Sequence, residues 1–200
     1  PTLIDIEKWG MELRFASRTE YRELRNYKKH YELPEIEPNQ YWLPEGGATE
    51  LALKGVAEMV SEIDVEFDAL CVPCGTGATL AGLIESTSDN QATIGFSALK
   101  GGGFLVDDVK KLLGSSYTNK NNWSIQLDYH FGGFAKSNNE LLLSIEDFAK
   151  QHGVALEPVY TGKMFYGLFE MIRQDYFEPK QKLVAIHTGG LQGARPLYIR

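Results

Sequence analysis

Cysteine is scarce: the 200 residues hold only Cys71 and Cys74. Two thiols cannot build a disulfide framework for a chain of this size, so a reducing cytoplasm is the expected compartment. Positive charge is also short, at a formal net charge of -7, which argues against nucleic acid as a main partner because phosphate backbones need a basic surface. The one basic cluster, Arg14, Arg18, Arg22, Arg25, Lys28 and Lys29, is interleaved with Glu12, Glu20 and Glu23. That is the pattern of a solvated helix face with charge pairs. No apolar run nears the length of a membrane span, so no membrane partner is expected. The four histidines, His30, His130, His152 and His187, show no metal-ligand spacing, and no metal site is expected. A Gly-x-Ser-x-Gly nucleophile elbow is absent as well.

What is present is a core of ample size, 43% of the residues being hydrophobic. Helix and strand patterns alternate along it. The early part predicts a helix over 3–9, a strand over 11–16, a charged helix over 19–29 and a proline-bearing connector over 33–39. From Gly47 on, helices are predicted over 48–63, 78–86, 105–113, 138–152 and 162–176. Short apolar strands are predicted over 67–72, 93–97, 123–128 and 183–187. Strands of this kind, without polar alternation and separated by helices, describe an α/β fold: a parallel open sheet with helices on both faces.

The sharpest motif is Cys74-Gly75-Thr76-Gly77-Ala78-Thr79, between the strand at 67–72 and the helix after it. Ligands of open parallel sheets bind at the carboxyl ends of strands. Glycines there let backbone N–H groups approach an anion, the helix start adds partial positive charge, and Thr76 and Thr79 can add hydroxyl donors. No lysine follows the glycines as a nucleotide-binding Walker loop requires, and the third glycine of a dinucleotide fingerprint is replaced by Leu80. A ligand-free glycine turn is the plain alternative. Cys71-Val72-Pro73-Cys74 also admits a redox pair, against a buried strand residue and a close-packed loop residue. His187, at the end of the last strand, leaves cofactor contact and a satisfied core histidine equally open.

Four segments together carry a resemblance: Pro44-Glu45-Gly46-Gly47-Ala48, Gly75-Thr76-Gly77-Ala78-Thr79, Pro158-Val159-Tyr160-Thr161-Gly162-Lys163 and His187-Thr188-Gly189-Gly190. In order and spacing the chain resembles the tryptophan-synthase-like class of pyridoxal-phosphate enzymes. Within that class it is most similar to 1-aminocyclopropane-1-carboxylate deaminase and D-cysteine desulfhydrase. The resemblance implies pyridoxal 5'-phosphate as cofactor, a small amino acid as substrate and a homodimer when intact. It implies that Gly75, Thr76, Gly77, Ala78 and Thr79 hold the cofactor phosphate, with Thr188 also at the cofactor. Tyr160 matches the active-site tyrosine, a packed aromatic being its plain reading, and Thr161 matches the residue facing the pyridine nitrogen. A second family tyrosine is replaced by Phe134. Residues 1–40 resemble the remainder of the smaller domain with a connector, and residues 41–200 the larger, cofactor-binding domain.

The Schiff-base lysine of this family lies in a segment with no counterpart before Pro1, so the expectation is the carboxy-terminal portion of a deaminase or lyase. An incomplete smaller domain is expected to leave apolar surface exposed. Lys54, Lys100 and Lys163 lie nearest the motifs, and Lys163, at a helix start, is expected to be a surface or anion contact. Thr161 offers a neutral hydroxyl suited to an unprotonated ring nitrogen. With Phe134 lacking a phenol, that favours elimination with ammonia release over cyclopropane opening. The alternative is a non-catalytic module that binds phosphate or pyridoxal phosphate without the lysine.

Overall fold

The short apolar runs form four strands in a computed structural model, which describes residues 2–24, 39–115 and 120–194. They are β1 (Ala69–Cys74), β2 (Ala92–Ser97), β3 (Trp123–Gln126) and β4 (Leu183–Ala185). All pair in parallel in the order β3-β2-β1-β4. β1 pairs along its whole length with β2, from Ala69 opposite Ala92 to Cys74 opposite Ser97. Every residue of β1 is buried. Leu70, Val72 and Cys74 enter one apolar cluster while Ala69 and Cys71 enter another. This is the two-residue period of a strand covered on both faces, and it leaves no hydropathic alternation to read.

Helices supply the two covering layers. Leu53 of α3 (Glu50–Ser61), Leu80, Leu83 and Ile84 of α4 (Ala78–Ser86), and Leu105, Val109 and Leu113 of α5 (Leu105–Leu113) pack on the Leu70 side. Met164, Leu168 and Met171 of α7 (Thr161–Arg173) pack on the Cys71 side. Behind α7, Leu141 and Ile145 of α6 (Asn139–His152) form a third cluster with Leu156. After β1 the chain builds outward through β2 and β3, then returns to place β4 on the other side of β1. The sheet therefore reverses its direction of growth at β1, the place where such sheets leave a crevice for ligand.

The chain divides into two compact units, Pro1–Gly47 and Ala48–Arg200; the sequence placed its boundary after residue 40. In the first unit α1 (Thr2–Lys8) ends at Gly10, whose φ of 79° suits a helix stop. α2 (Arg18–Leu24) opens with a capping box that the sequence reading did not anticipate. Ser17 N–H donates to the Glu20 carboxylate at 2.6 Å, and Glu20 N–H donates to Ser17 Oγ at 3.3 Å. Residues 11–16, expected as a strand, have no regular structure: an alternating pattern forms no strand unless a partner edge meets it. The expected helix end at 25–29 and the connector at 33–38 lie outside the described residues. Trp9 and Phe15 of this unit are largely exposed.

Close backbone approach fixes how α3 and α4 cross. A Cβ on Gly82 would lie 2.5 Å from Val56 Cβ and 3.2 Å from the Leu53 carbonyl oxygen. Gly82→Val is expected to destabilise the larger unit by about 1–3 kcal/mol through overpacking. The measurement is the urea midpoint, which should fall without a change in slope.

Candidate active site

The glycine loop follows β1 directly, at the centre of the sheet. Gly77, at φ 82°, is the N-cap of α4, and no side chain caps that helix start. Among the described residues, no backbone–backbone hydrogen bond outside the regular elements uses an amide of residues 75–80 as donor. The first paired amide is that of Ala81, donating to Gly77 C=O at 2.9 Å. α5 also lacks a side-chain cap, but it runs on from a 3-10 turn whose Gly102 and Gly103 carbonyls accept the Leu105 N–H; the other long helix starts are capped. Thr49 Oγ1 accepts from Ala52 N–H in α3, and Asn138 Oδ1 accepts from Leu141 N–H in α6. α4 alone of these presents free donors, Thr76 and Thr79 stand half-buried beside them, and Ala78 is buried. An unclosed helix start at a strand end is an anion site, so these residues fit a phosphate monoester.

α7 begins differently. Glu157, missed by the sequence reading, is 1% exposed. It accepts N–H bonds from Val159 at 2.6 Å, Tyr160 at 2.8 Å and Thr161 at 2.6 Å. One carboxylate thus closes the helix start and balances its dipole. A glutamate three residues before the N-cap is not a usual capping position, and only the turn at Pro158 brings it back.

The neighbours of Glu157 alter two expectations. Thr161 is fully buried; its hydroxyl donates to Glu157 Oε1 at 3.2 Å and accepts from Glu157 N–H at 3.1 Å. The side chain expected to face a ring nitrogen is therefore turned to Glu157, its proton already engaged. Lys163, expected at the surface, is 1% exposed, and its ammonium donates to Gly133 C=O at 2.7 Å and Ala98 C=O at 3.4 Å. The start of α7 packs inward because a Cβ on its neighbour Gly162 would lie 2.5 Å from Ile145 Cδ1. That close helix contact turns Lys163 into the protein. Burial lowers its pKa to about 8, against the opposing pull of Glu157. Lys54 and Lys100 are exposed.

Tyr160 lies over the glycine loop. A Cβ on Gly75 would meet Tyr160 Oη at 3.0 Å and Cε1 at 3.1 Å. The Phe134 ring stands edge-on to Tyr160, with centroids 5.9 Å apart. Gly75, Thr76, Gly77, Ala78, Thr79, Tyr160 and Phe134 thus form one continuous feature. Thr188 is exposed in the segment after β4. His187 holds that segment: Nδ1 accepts from Gly189 N–H at 3.1 Å, leaving Nε2–H to donate to Ala155 C=O at 2.9 Å. Of its two open readings, the structure gives the satisfied histidine. Both cysteines are free and buried, their thiols pushed up to about 12 by desolvation, which is the opposite of a reactive redox pair. Among the described residues no helix is long and apolar enough to cross a membrane, and no cluster of potential metal ligands is found.

An uncapped helix start on the central strand of a parallel sheet, roofed by a tyrosine, is an arrangement that fits an α/β protein with a phosphate-bearing ligand. The chain belongs to the family of pyridoxal-phosphate-dependent enzymes, whose family model matches residues 2–189. It is 32% identical over 92% of its length to a putative 1-aminocyclopropane-1-carboxylate deaminase of Pyrococcus furiosus, and spans 60% of that protein. To the mitochondrial bifunctional D-cysteine desulfhydrase/1-aminocyclopropane-1-carboxylate deaminase of Arabidopsis thaliana it is 33% identical, over 76% of this chain and 42% of that one. The crystal structure of an ACC deaminase homologue superposes with a TM-score of 0.74 at 25% identity, covering 96% of this chain and 62% of the other. The fold is that of this structure, and the chain spans about 60% of the length of such relatives.

Two outcomes follow for the start of α7. Glu157→Ala is expected to lower stability by about 2 kcal/mol, since several helix-start amides lose their acceptor together; the melting temperature reports it. For Lys163, the unfolded chain keeps its proton to the ordinary lysine value of 10.5, while the folded chain releases it near 8. Between those values the unfolded state binds more protons, so stability rises with pH. Denaturation midpoints at pH 7.5 and 9.5 should show wild type gaining on Lys163→Met.

Proposed function

We propose that residues 75–79 and the start of α4 hold the phosphate of pyridoxal 5'-phosphate in an amino-acid deaminase or lyase, of whose relatives this chain spans about 60% of the length. The open α4 start carries this reading. The starts of α3, α6 and α7 are closed by side chains and α5 runs on from a 3-10 turn, whereas this one sits on the central strand with its amides and two threonines unopposed. When bound, the cofactor supplies an electron sink for carbanion chemistry on an amino acid.

The chain's own residues supply the rest. The amides of 75–79 bind the dianion, and Thr76 and Thr79 orient it. Tyr160, whose hydroxyl lies against Gly75, delivers or takes a proton, or orients the substrate through its hydroxyl. Phe134, edge-on to that ring, keeps water off one side of it. Position 161 offers no carboxylate, its hydroxyl being engaged by Glu157, and the second phenol is absent. Elimination from a small amino acid with release of ammonia is therefore favoured over cyclopropane opening. The same reading takes a homodimer as the assembly and the cytoplasm as the compartment. Thr188, exposed after β4, lines the cofactor from the far side of the loop in this proposal.

A second reading has its own support. Lys163 is engaged by two carbonyls, and Lys54 and Lys100 are exposed, so no lysine of the motifs is presented for covalent attachment. On that reading the chain alone binds the cofactor reversibly and does no chemistry.

Pyridoxal phosphate titrated into the chain should bind and be displaced by inorganic phosphate. Thr79→Val should weaken it about tenfold or more, the effect of losing one hydrogen bond to a charged group. A lysine adduct fixed by borohydride would assign chemistry to this chain; reversible binding alone supports the non-catalytic module. Binding unaltered by Thr79→Val and Gly77→Val would overturn the phosphate site. For the whole protein, D-cysteine should release ammonia. Efficient opening of 1-aminocyclopropane-1-carboxylate with D-cysteine untouched would overturn the elimination reading.

A further inference from the structure

We infer that Lys163 is a positioning residue: its buried ammonium ties the turn bearing Phe134 to the start of α7, and so sets the ring of Tyr160 against the glycine loop. The contacts run without a gap. Lys163 Nζ donates to Gly133 C=O at 2.7 Å, the residue after Gly133 is Phe134, and Phe134 stands edge-on to Tyr160 at 5.9 Å. Tyr160 in turn occupies the space where a side chain on Gly75 would be. The second acceptor, Ala98 C=O at 3.4 Å, follows β2 directly. One ammonium therefore joins the end of β2, the turn after β3 and the first turn of α7, all on the sheet edge that bears the loop.

The chemistry of the residue supports a role beyond filling space. A buried ammonium costs desolvation, and a methionine or leucine would occupy the same volume without it. What a hydrocarbon lacks is the donor. Gly133, at φ 117°, is pressed against Lys100, whose backbone nitrogen lies 3.4 Å from the site of a Cβ. That peptide is thus fixed from one side by packing and from the other by Lys163. The charged groups around the ammonium are Glu157, on the turn before α7, which favours its charge, and Lys100, exposed beside Gly133. The inference rests on the proposed function only in taking Tyr160 to work on substrate; the tether itself is independent of it.

The test uses the whole 200-residue chain, labelled with ring-carbon-13 tyrosine, a label that leaves phenol acidity unaltered, with the Tyr160 ring signal assigned by Tyr160→Phe. In wild type that signal should move in one step with a midpoint near pH 8, as the ammonium loses its charge. Lys163→Met should displace the signal at pH 7 and remove the step. Phe134→Ala, at an exposed side chain, should remove the step with Lys163 intact, which loss of a purely structural lysine contact would not do. A step that persists in either variant, or a Lys163→Met signal coincident with wild type at every pH, overturns the inference. Should Lys163→Met fail to fold, the wild-type and Phe134→Ala curves decide alone. Pyridoxal phosphate binding is followed in parallel: its absence would count against the phosphate site and leave the tether standing.

Discussion

A helix start leaves several N–H groups without partners, and how each start is closed organises this protein. α3 and α6 use a threonine and an asparagine, and α7 borrows a glutamate from the preceding turn. α4 uses nothing. Its amides emerge where the central strand ends, so their unmet demand falls at the point where the sheet reverses its growth. A helix start of this kind suits an anion.

The start of α7 shows the complementary solution. Glu157 and Lys163 are both buried, both charged, and both engaged by backbone rather than by each other. Between them in sequence lies Tyr160, whose backbone the carboxylate holds and whose ring meets the turn that the ammonium holds. Charges in such places are retained at a cost in desolvation, and backbone partners on every side are what make them tolerable. Helix start, aromatic pair and glycine loop are thereby held in contact with one another.

Much of the layout was legible because the larger unit obeys local rules. The strands at β1 and β2, the helices at α4 to α6 and the glycine loop follow from apolar runs, caps and glycine punctuation, and the structure places them within a few residues. The run at 11–16 alternated as a strand does, yet has no regular structure; strand pairing is a property of two segments, and a single one carries half the signal. The Ser17–Glu20 box lies just before the predicted helix at 19–29 and sets its start one residue earlier. Lys163 was recognised as a member of a motif but assigned the wrong surroundings. A motif fixes residue type and spacing, while the partner of a side chain depends on which segments fold over it.

The sequence by itself determined the α/β class, the position of the anion loop and the family, since each rests on short-range patterns of apolar residues, glycines and threonines. Tertiary structure alone decided what lies around that loop. It set Tyr160 against Gly75 and drew Lys163 inside to residues 30 and 65 positions away. Those contacts join parts of the chain that share no local pattern. They exist because parallel strands bring their carboxyl ends, and the turns that follow, to one edge of the sheet.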